Sequence, residues 1–241
     1  MPLQTVEPQR LYRQIAEQLR SLVATGEFSV GQRLPAERDL AVQLGVSRPS
    51  VREALIALEV EGMIEVRTGS GIYVRAGASE SGKGRMAEQV RHGEDAALQE
   101  WGPLEVMYAR GLLEPDTAAL AAERASRADL NAIAAGLRQM RQQADRGEVP
   151  REGDEVFHLA IARASGNGVL LDTLERYWQA RHGPLFERLG DYFEGPESWQ
   201  VAIAEHEAVL TAIQARDPRG AKRAMQRHLK QALRRYSASW S

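Results

Sequence analysis

Apolar residues recur three and four positions apart along most of the chain, and strand-like stretches occur at one place. Leu11, Ile15, Leu19 and Leu22 predict an amphipathic helix that ends near Thr25, ahead of Gly26. Pro35 suits the first turn of a short helix reaching Gln43. Gly45 breaks that helix, and Ser47 is an N-cap for a further helix to about Glu61. On this third helix Val51, Ala54, Leu55 and Leu58 form an apolar stripe, and Gly62 stops it. Two β-branched stretches, Ile64-Glu65-Val66 and Ile72-Tyr73-Val74, then flank Thr68-Gly69-Ser70-Gly71, which predicts a hairpin. Residues 1–75 are thus expected to form a winged helix-turn-helix.

Residues 76–85 (AGASESGKGR) carry Gly, Ser and charge but no large apolar side chain, the composition of a linker. Beyond it, residues 86–241 show helical periodicity throughout, as in Leu130, Ile133, Leu137 and Met140. Breaks at Gly147 to Pro150, Gly166-Asn167-Gly168, Gly195-Pro196 and Asp217-Pro218 divide this part into about six helices, suited to an antiparallel bundle. The fold expected is mainly α, a small winged domain followed by an all-α domain.

Composition changes this picture in three ways. The chain of 241 residues has no cysteine, so a disulfide framework, a thiolate nucleophile and Cys-ligated zinc are excluded, and a metal site must use His, Asp or Glu. No apolar run has the length of a membrane span and the first residues lack a signal-peptide pattern, so a cytoplasmic location is expected. The net charge of −2 gives no global sign of nucleic-acid binding. Locally, residues 1–75 hold nine arginines, nine acidic residues and no lysine, so each cation there is the planar, bidentate kind that matches phosphates and guanine edges.

In a helix-turn-helix the second helix enters the major groove by its N-terminal end, where Arg48 and Arg52 lie one turn apart. Ser47 and Ser50 can bind phosphate oxygens or cap the helix, and Arg38 sits in the first turn of the preceding helix. By spacing alone these arginines are equally well explained as solvated partners of Glu37, Asp39 and Glu53. The wording LPAERDLAVQLGVSRPSVREALIALEVEGMIEVRTGSGIYV closely resembles the winged-helix domain of the GntR family of regulators over residues 9–75. That resemblance implies operator contacts from Arg38, Arg48 and Arg52, phosphate contacts from Ser47 and Ser50, and wing contacts around Thr68 and Gly69. Because one winged helix reads only a few base pairs, a homodimer on a palindromic double-stranded operator is expected.

Asp154 and His158 share a helix face at i and i+4, and His206 and His228 fall on two later helices among apolar stripes. Spacing leaves open whether these are ligands of one ion or ordinary core and surface histidines. The pattern R-x-x-x-E at Arg110 to Glu114, D-x-x-x-H before SGN, and E-H and H-L in the last two helices resembles the FCD domain of FadR-like GntR proteins over residues 86–237. The resemblance implies a divalent ion on Asp154, His158, His206 and His228, and an effector carboxylate at Arg110. It disfavours an acyl-CoA effector, and it leaves His92 and His182 without a role. Such a donor set suits Zn²⁺ first, then Ni²⁺ or Mn²⁺. The stretch YWQARHGPLFERL, with Trp178 and Arg181, resembles hexuronate-responsive members.

The function expected is a transcriptional repressor released by a small hydroxy-acid or sugar acid. Two other classes compete with it. A metalloregulator would respond to the ion alone. A metal-dependent hydrolase would need a general base, yet HExxH and G-x-S-x-G are absent and four protein ligands exceed the three usual at catalytic zinc, so the chain is read as no enzyme.

Overall fold

A computed structural model of the chain describes residues 10–76 and 101–236. These form two compact units, divided between Leu104 and Glu105. The segment read as a linker, apart from Ala76, lies outside the described residues, as does His92.

The first unit holds α1 (Leu11–Ala24), α2 (Glu37–Leu44), α3 (Arg48–Val60), β1 (Ile64–Arg67) and β2 (Gly71–Val74). On α1 the buried face is Tyr12, Ile15, Ala16 and Leu19. The stripe is therefore entered through Tyr12, and Leu11 is exposed. Pro35 lies just ahead of α2, outside its first turn, because Ala36 takes the N-cap position with extended backbone. Gly45 caps α2 in the left-handed region at φ +66°, which a side chain would strain, and this reversal turns the chain into α3. Val51, Ala54, Leu55 and Leu58 of α3 are all buried, as the stripe requires. Burying each of the larger ones contributes about 1.5–3 kcal/mol. The strands pair antiparallel with Ile64 opposite Val74 and Arg67 opposite Gly71, and Thr68 and Gly69 stand exposed at the turn.

The second unit is helical: α4 (Pro103–Arg124), which begins two residues before it, then α5 (Arg127–Asp145), α6 (Arg151–Ala164), α7 (Gly168–Ala180), α8 (Pro184–Phe193), α9 (Pro196–Gln214) and α10 (Pro218–Tyr236). Seven helices are described where about six were expected. Ser126 and Asp129 form a capping box that starts α5, and Pro184 starts α8 after a short turn. Two glycines set how α6 is held. A Cβ on Gly136 of α5 would stand 2.6 Å from the Phe157 backbone, and one on Gly153 of α6 would stand 2.5 Å from that of Met140. Only hydrogen at both positions lets α5 and α6 approach this closely, and the approach fixes the helix that carries Asp154 and His158.

Candidate metal centre and nucleic-acid interface

In the first unit the expected DNA-reading residues separate into two sets. Ser47 Oγ accepts the backbone N–H of Ser50 at 3.3 Å and lies 2.8 Å from Ser50 Oγ, so both hydroxyls sit at the N-terminus of α3, where the helix dipole favours an anion. The side chain of Arg38 is 78% exposed and that of Arg48 is 45% exposed. Arg52 is placed otherwise than expected. It is 1% exposed and donates to Glu37 from Nε at 2.8 Å and from Nη2 at 2.9 Å, a bidentate pair inside the domain. Burial lowers the pKa of Arg52, and the Glu37 carboxylate works against that fall. Arg48 donates from Nε to the same carboxylate at 2.9 Å, so Glu37 ties the outward arginine to the inward one.

In the second unit, Asp154, His158, His206 and His228 are all buried, and one ligand atom from each lies within 4.8 Å of the others. The partners of the outer ring nitrogens decide what the inner ones present. His158 Nδ1 faces the Glu114 carboxylate. His206 Nδ1 faces the Ala202 carbonyl at 2.6 Å, and His228 Nδ1 faces the Glu205 carboxylate at 2.9 Å. Each partner is an acceptor, so each Nδ1 carries hydrogen and each neutral ring leaves a lone pair on Nε2. The Nε2 atoms of His158 and His206 stand 3.1 Å apart, and Asp154 Oδ1 lies 2.9 Å from one and 3.4 Å from the other. Lone pairs facing one another at this range repel unless a cation lies between them. Ligands bound at about 2.1 Å stand roughly 3.0–3.4 Å apart on adjacent positions of an octahedral or tetrahedral ion, which these separations match. The residues fit a divalent ion, and Glu114, Glu205 and the Ala202 carbonyl supply the outer hydrogen bonds that orient such ligands.

The electrostatics agree. Burial raises the pKa of Asp154, but hydrogen bonds from His158 and His206 and the charge of Arg181 prevail and hold it well below the ordinary value, so it is a carboxylate. Burial and then the neighbouring His206 and His158 push His228 well below an ordinary histidine, which leaves it neutral. His158 goes the other way: burial lowers it, yet Glu114 and Asp154 carry it above the ordinary value. A cluster that draws a proton onto a ligand nitrogen is a cluster that calls for positive charge.

A cavity of about 40 Å³ adjoins the cluster and is bordered by Arg110, Asp154, Arg181, Trp199, His206 and His228 among others. Arg110 is 2% exposed, donates from Nε to Glu114 at 2.5 Å, and lies 4.3 Å from the Trp178 ring. Its Nη2 is buried without a hydrogen-bond partner. Arg181 donates to Asp154 Oδ2 at 3.0 Å and lies 4.3 Å from the same Trp178 ring. His182 is exposed on Glu155, away from the cluster. Sequence reasoning assigned no role to Glu114, Glu205 or Trp199. The first two lie within the motifs that were read, at R-x-x-x-E and E-H, so a signal was present. Glu205 adjoins His206 in the chain but pairs with His228 across to α10, which spacing cannot disclose.

Residues 105–231 match the FCD domain family, and residues 11–74 match the family described as bacterial regulatory proteins, gntR family. The Exu regulon transcriptional regulator of Escherichia coli K12 is 36% identical over 94% of this chain and 84% of its own length. The Uxu operon transcriptional regulator of the same organism is 35% identical over 94% and 87%. Among solved structures, E. coli McbR/YncC has a TM-score of 0.50 at 23% identity, covering 95% of this chain and 98% of that one, a likeness of fold. No described helix is long and apolar enough to cross a membrane.

Proposed function

The chain belongs to the GntR family of bacterial regulatory proteins, with an FCD domain following the winged helix, and from that premise we propose that it is a repressor that leaves its operator when a small hydroxy-acid or sugar acid binds. The observation that carries this reading is the meeting of two incomplete features in one cavity. Four ligand atoms converge there, and Arg110 brings a buried guanidinium Nη2 with no partner. Buried donors are nearly always paired, so an unmatched Nη2 marks the place of a carboxylate that the chain itself does not supply.

Asp154, His158, His206 and His228 would hold the ion, with Zn²⁺ first by ligand softness and Ni²⁺ or Mn²⁺ next. A bound ion supplies coordination positions for the oxygens of a hydroxy- or keto-acid. Arg110, fixed by Glu114 and Trp178, receives the acid's carboxylate, and Arg181 keeps Asp154 aimed at the centre. On the DNA side, Arg38 and Arg48 read the groove, Ser47, Ser50, Thr68 and Gly69 meet the backbone, and Arg52 acts through Glu37 by holding Arg48 in place. The active species is a cytoplasmic homodimer on a palindromic operator, since one winged helix reads only a few base pairs.

Operator and acid act in separate units, so they communicate through domain arrangement, with a coupling of about 1–3 kcal/mol. The test is to titrate an operator complex of zinc-loaded protein with hexuronates, aldonates, lactate and glycolate. An acid should release the wild type and leave Arg110→Ala bound, with zinc content equal in both. Release by chelator with no response to any acid would instead identify a metalloregulator.

A further inference from the structure

We propose that the indole N–H of Trp199 reads a hydroxyl of the effector and so makes the cavity selective for polyhydroxylated acids over three-carbon hydroxy-acids. The proposal rests on the reading of this cavity as an effector site. Among the described residues three buried side-chain polar atoms have no hydrogen-bond partner: Arg110 Nη2, Trp178 Nε1 and Trp199 Nε1. Arg110 and Trp199 border the same cavity, and Trp178 borders the neighbouring one of about 270 Å³. Trp199 is 7% exposed, and a buried indole N–H ordinarily finds an acceptor.

Its position on α9 gives the unmatched donor a meaning. Trp199, Ala202 and His206 follow one another at i, i+3 and i+7, so they share a helix face, and all three border the cavity. Seven residues of helix separate the Cα atoms of Trp199 and His206 by about 10 Å along the axis. A three-carbon acid held by the ligand cluster and Arg110 has little length or hydroxyl to extend along this face. A six-carbon acid has both the length and the hydroxyls to arrive there.

The surroundings are those a hydroxylated chain needs. Glu194 and Tyr236, which hydrogen-bond each other, border the same cavity and offer acceptors. The adjacent hydroxyl of Ser198 is already committed, since it accepts the Gly195 N–H at 3.0 Å and donates to the Gly195 carbonyl at 2.8 Å. Trp199 therefore keeps a donor to spare at this end of the cavity. A purely apolar chain would leave that donor unmatched.

The experiment is calorimetric titration of full-length, zinc-loaded wild type and Trp199→Phe with D-glucuronate, D-gluconate and L-lactate, with zinc content and melting temperature recorded for each protein. Loss of one hydrogen bond should weaken the two six-carbon acids about tenfold in the variant and leave lactate within about twofold. Equal weakening of all three acids would make Trp199 a packing residue and overturn the proposal. No change for any acid would overturn it too, while the carboxylate-sensor reading stands. If wild type binds none of the acids, that reading falls and this one with it. A second measurement guards against a variant that does not fold. The chain has four tryptophans, and the ¹⁵N-indole signal of Trp199, assigned by elimination from Phe variants at Trp101, Trp178 and Trp240, should shift with glucuronate in the wild type and hold still with lactate. A signal unmoved by glucuronate refutes the contact.

Discussion

In the first unit Glu37 holds Arg52 by two hydrogen bonds and Arg48 by another, so the buried carboxylate and guanidinium are matched within the fold. In the second unit three imidazoles and a carboxylate converge, each imidazole with its outer nitrogen satisfied and its inner lone pair aimed at the others. Both clusters are buried and both combine charges of opposite sign. The first is closed and serves as a strut that presents Arg48. The second is open, with ligand atoms that converge on one another and fit a divalent ion. Under the proposed function, the same physics of buried charge serves a fixed reading head in one unit and a binding site in the other.

The sharpest way to break the comparison is to open the closed cluster. Arg52→Ala leaves Glu37 buried with only the half-exposed Arg48, and removing one partner of a buried pair costs about 3–5 kcal/mol. Thermal or urea unfolding should register that loss at any zinc concentration. A variant as stable as wild type would mean the pair carries no structural weight, and Arg52 would return to being a surface reader of bases.

The complementary change leaves the open cluster without a ligand. His206→Ala removes an Nε2 from the centre, and zinc affinity should fall at least as far as it does for loss of an outer hydrogen-bonding partner, about 100-fold or more. The rise in melting temperature on adding zinc should disappear with it, because the ion joins α6, α9 and α10. Wild-type zinc content in the dialysed variant would dismiss the site.

These contrasts explain what could be read in the chain and what could not. The helix-turn-helix and its wing follow from local signals: Gly45 for the turn, Ser47 for the cap, the stripe of α3, and the Thr68-Gly69-Ser70-Gly71 hairpin. The α5 boundary was equally open to reading, since Ser126 and Asp129 have capping-box spacing, but no glycine or proline marks it. Asp154, His158, His206 and His228 could be grouped as one cluster only through resemblance, because i, i+4 spacing joins Asp154 to His158 and says nothing of two helices some fifty residues and more away. The fate of Arg52 was not legible. Arg48 and Arg52 lie on one face of α3, and periodicity does not say which long side chain folds under Glu37 and which remains at the surface.

A milder test addresses what the strut presents. Arg48→Ala should lower operator affinity by about 1–3 kcal/mol and relax base preference at one position of each half-site, with little effect on folding because its side chain is half exposed. Glu37→Gln should weaken binding as well, through loss of the aim of Arg48, and unlike Arg48→Ala it should also destabilise the domain. Fluorescence anisotropy with wild-type and single-substituted operators measures the first effect, and melting separates the two variants. Normal operator binding by Arg48→Ala would remove α3 from its assigned role.

The smallest effect expected is one of pH, and its sign follows from which histidine holds a proton when no ion is bound. In the zinc-free protein burial lowers the pKa of His158, but the carboxylates of Glu114 and Asp154 outweigh burial and raise it above the ordinary histidine value. The protonated ring therefore contributes stability that is complete below the unfolded value and is lost as pH rises through the folded one. Zinc needs that nitrogen free, so proton and ion compete for its lone pair, and the competitor leaves as pH rises. His228, pushed well below the ordinary value, releases no proton in this window. Zinc affinity should thus increase by about tenfold per pH unit, or roughly 1.4 kcal/mol, from about pH 6 until His158 has lost its proton, and then level off. Chelator competition at intervals between about pH 6 and pH 9 measures the slope. Glu114→Gln, which removes the main charge that raises His158, should move the levelling-off to lower pH and weaken zinc about 10- to 100-fold. A flat zinc affinity across the range in the wild type would mean that no proton competes at the centre, and the account of an open cluster calling for positive charge would fail there.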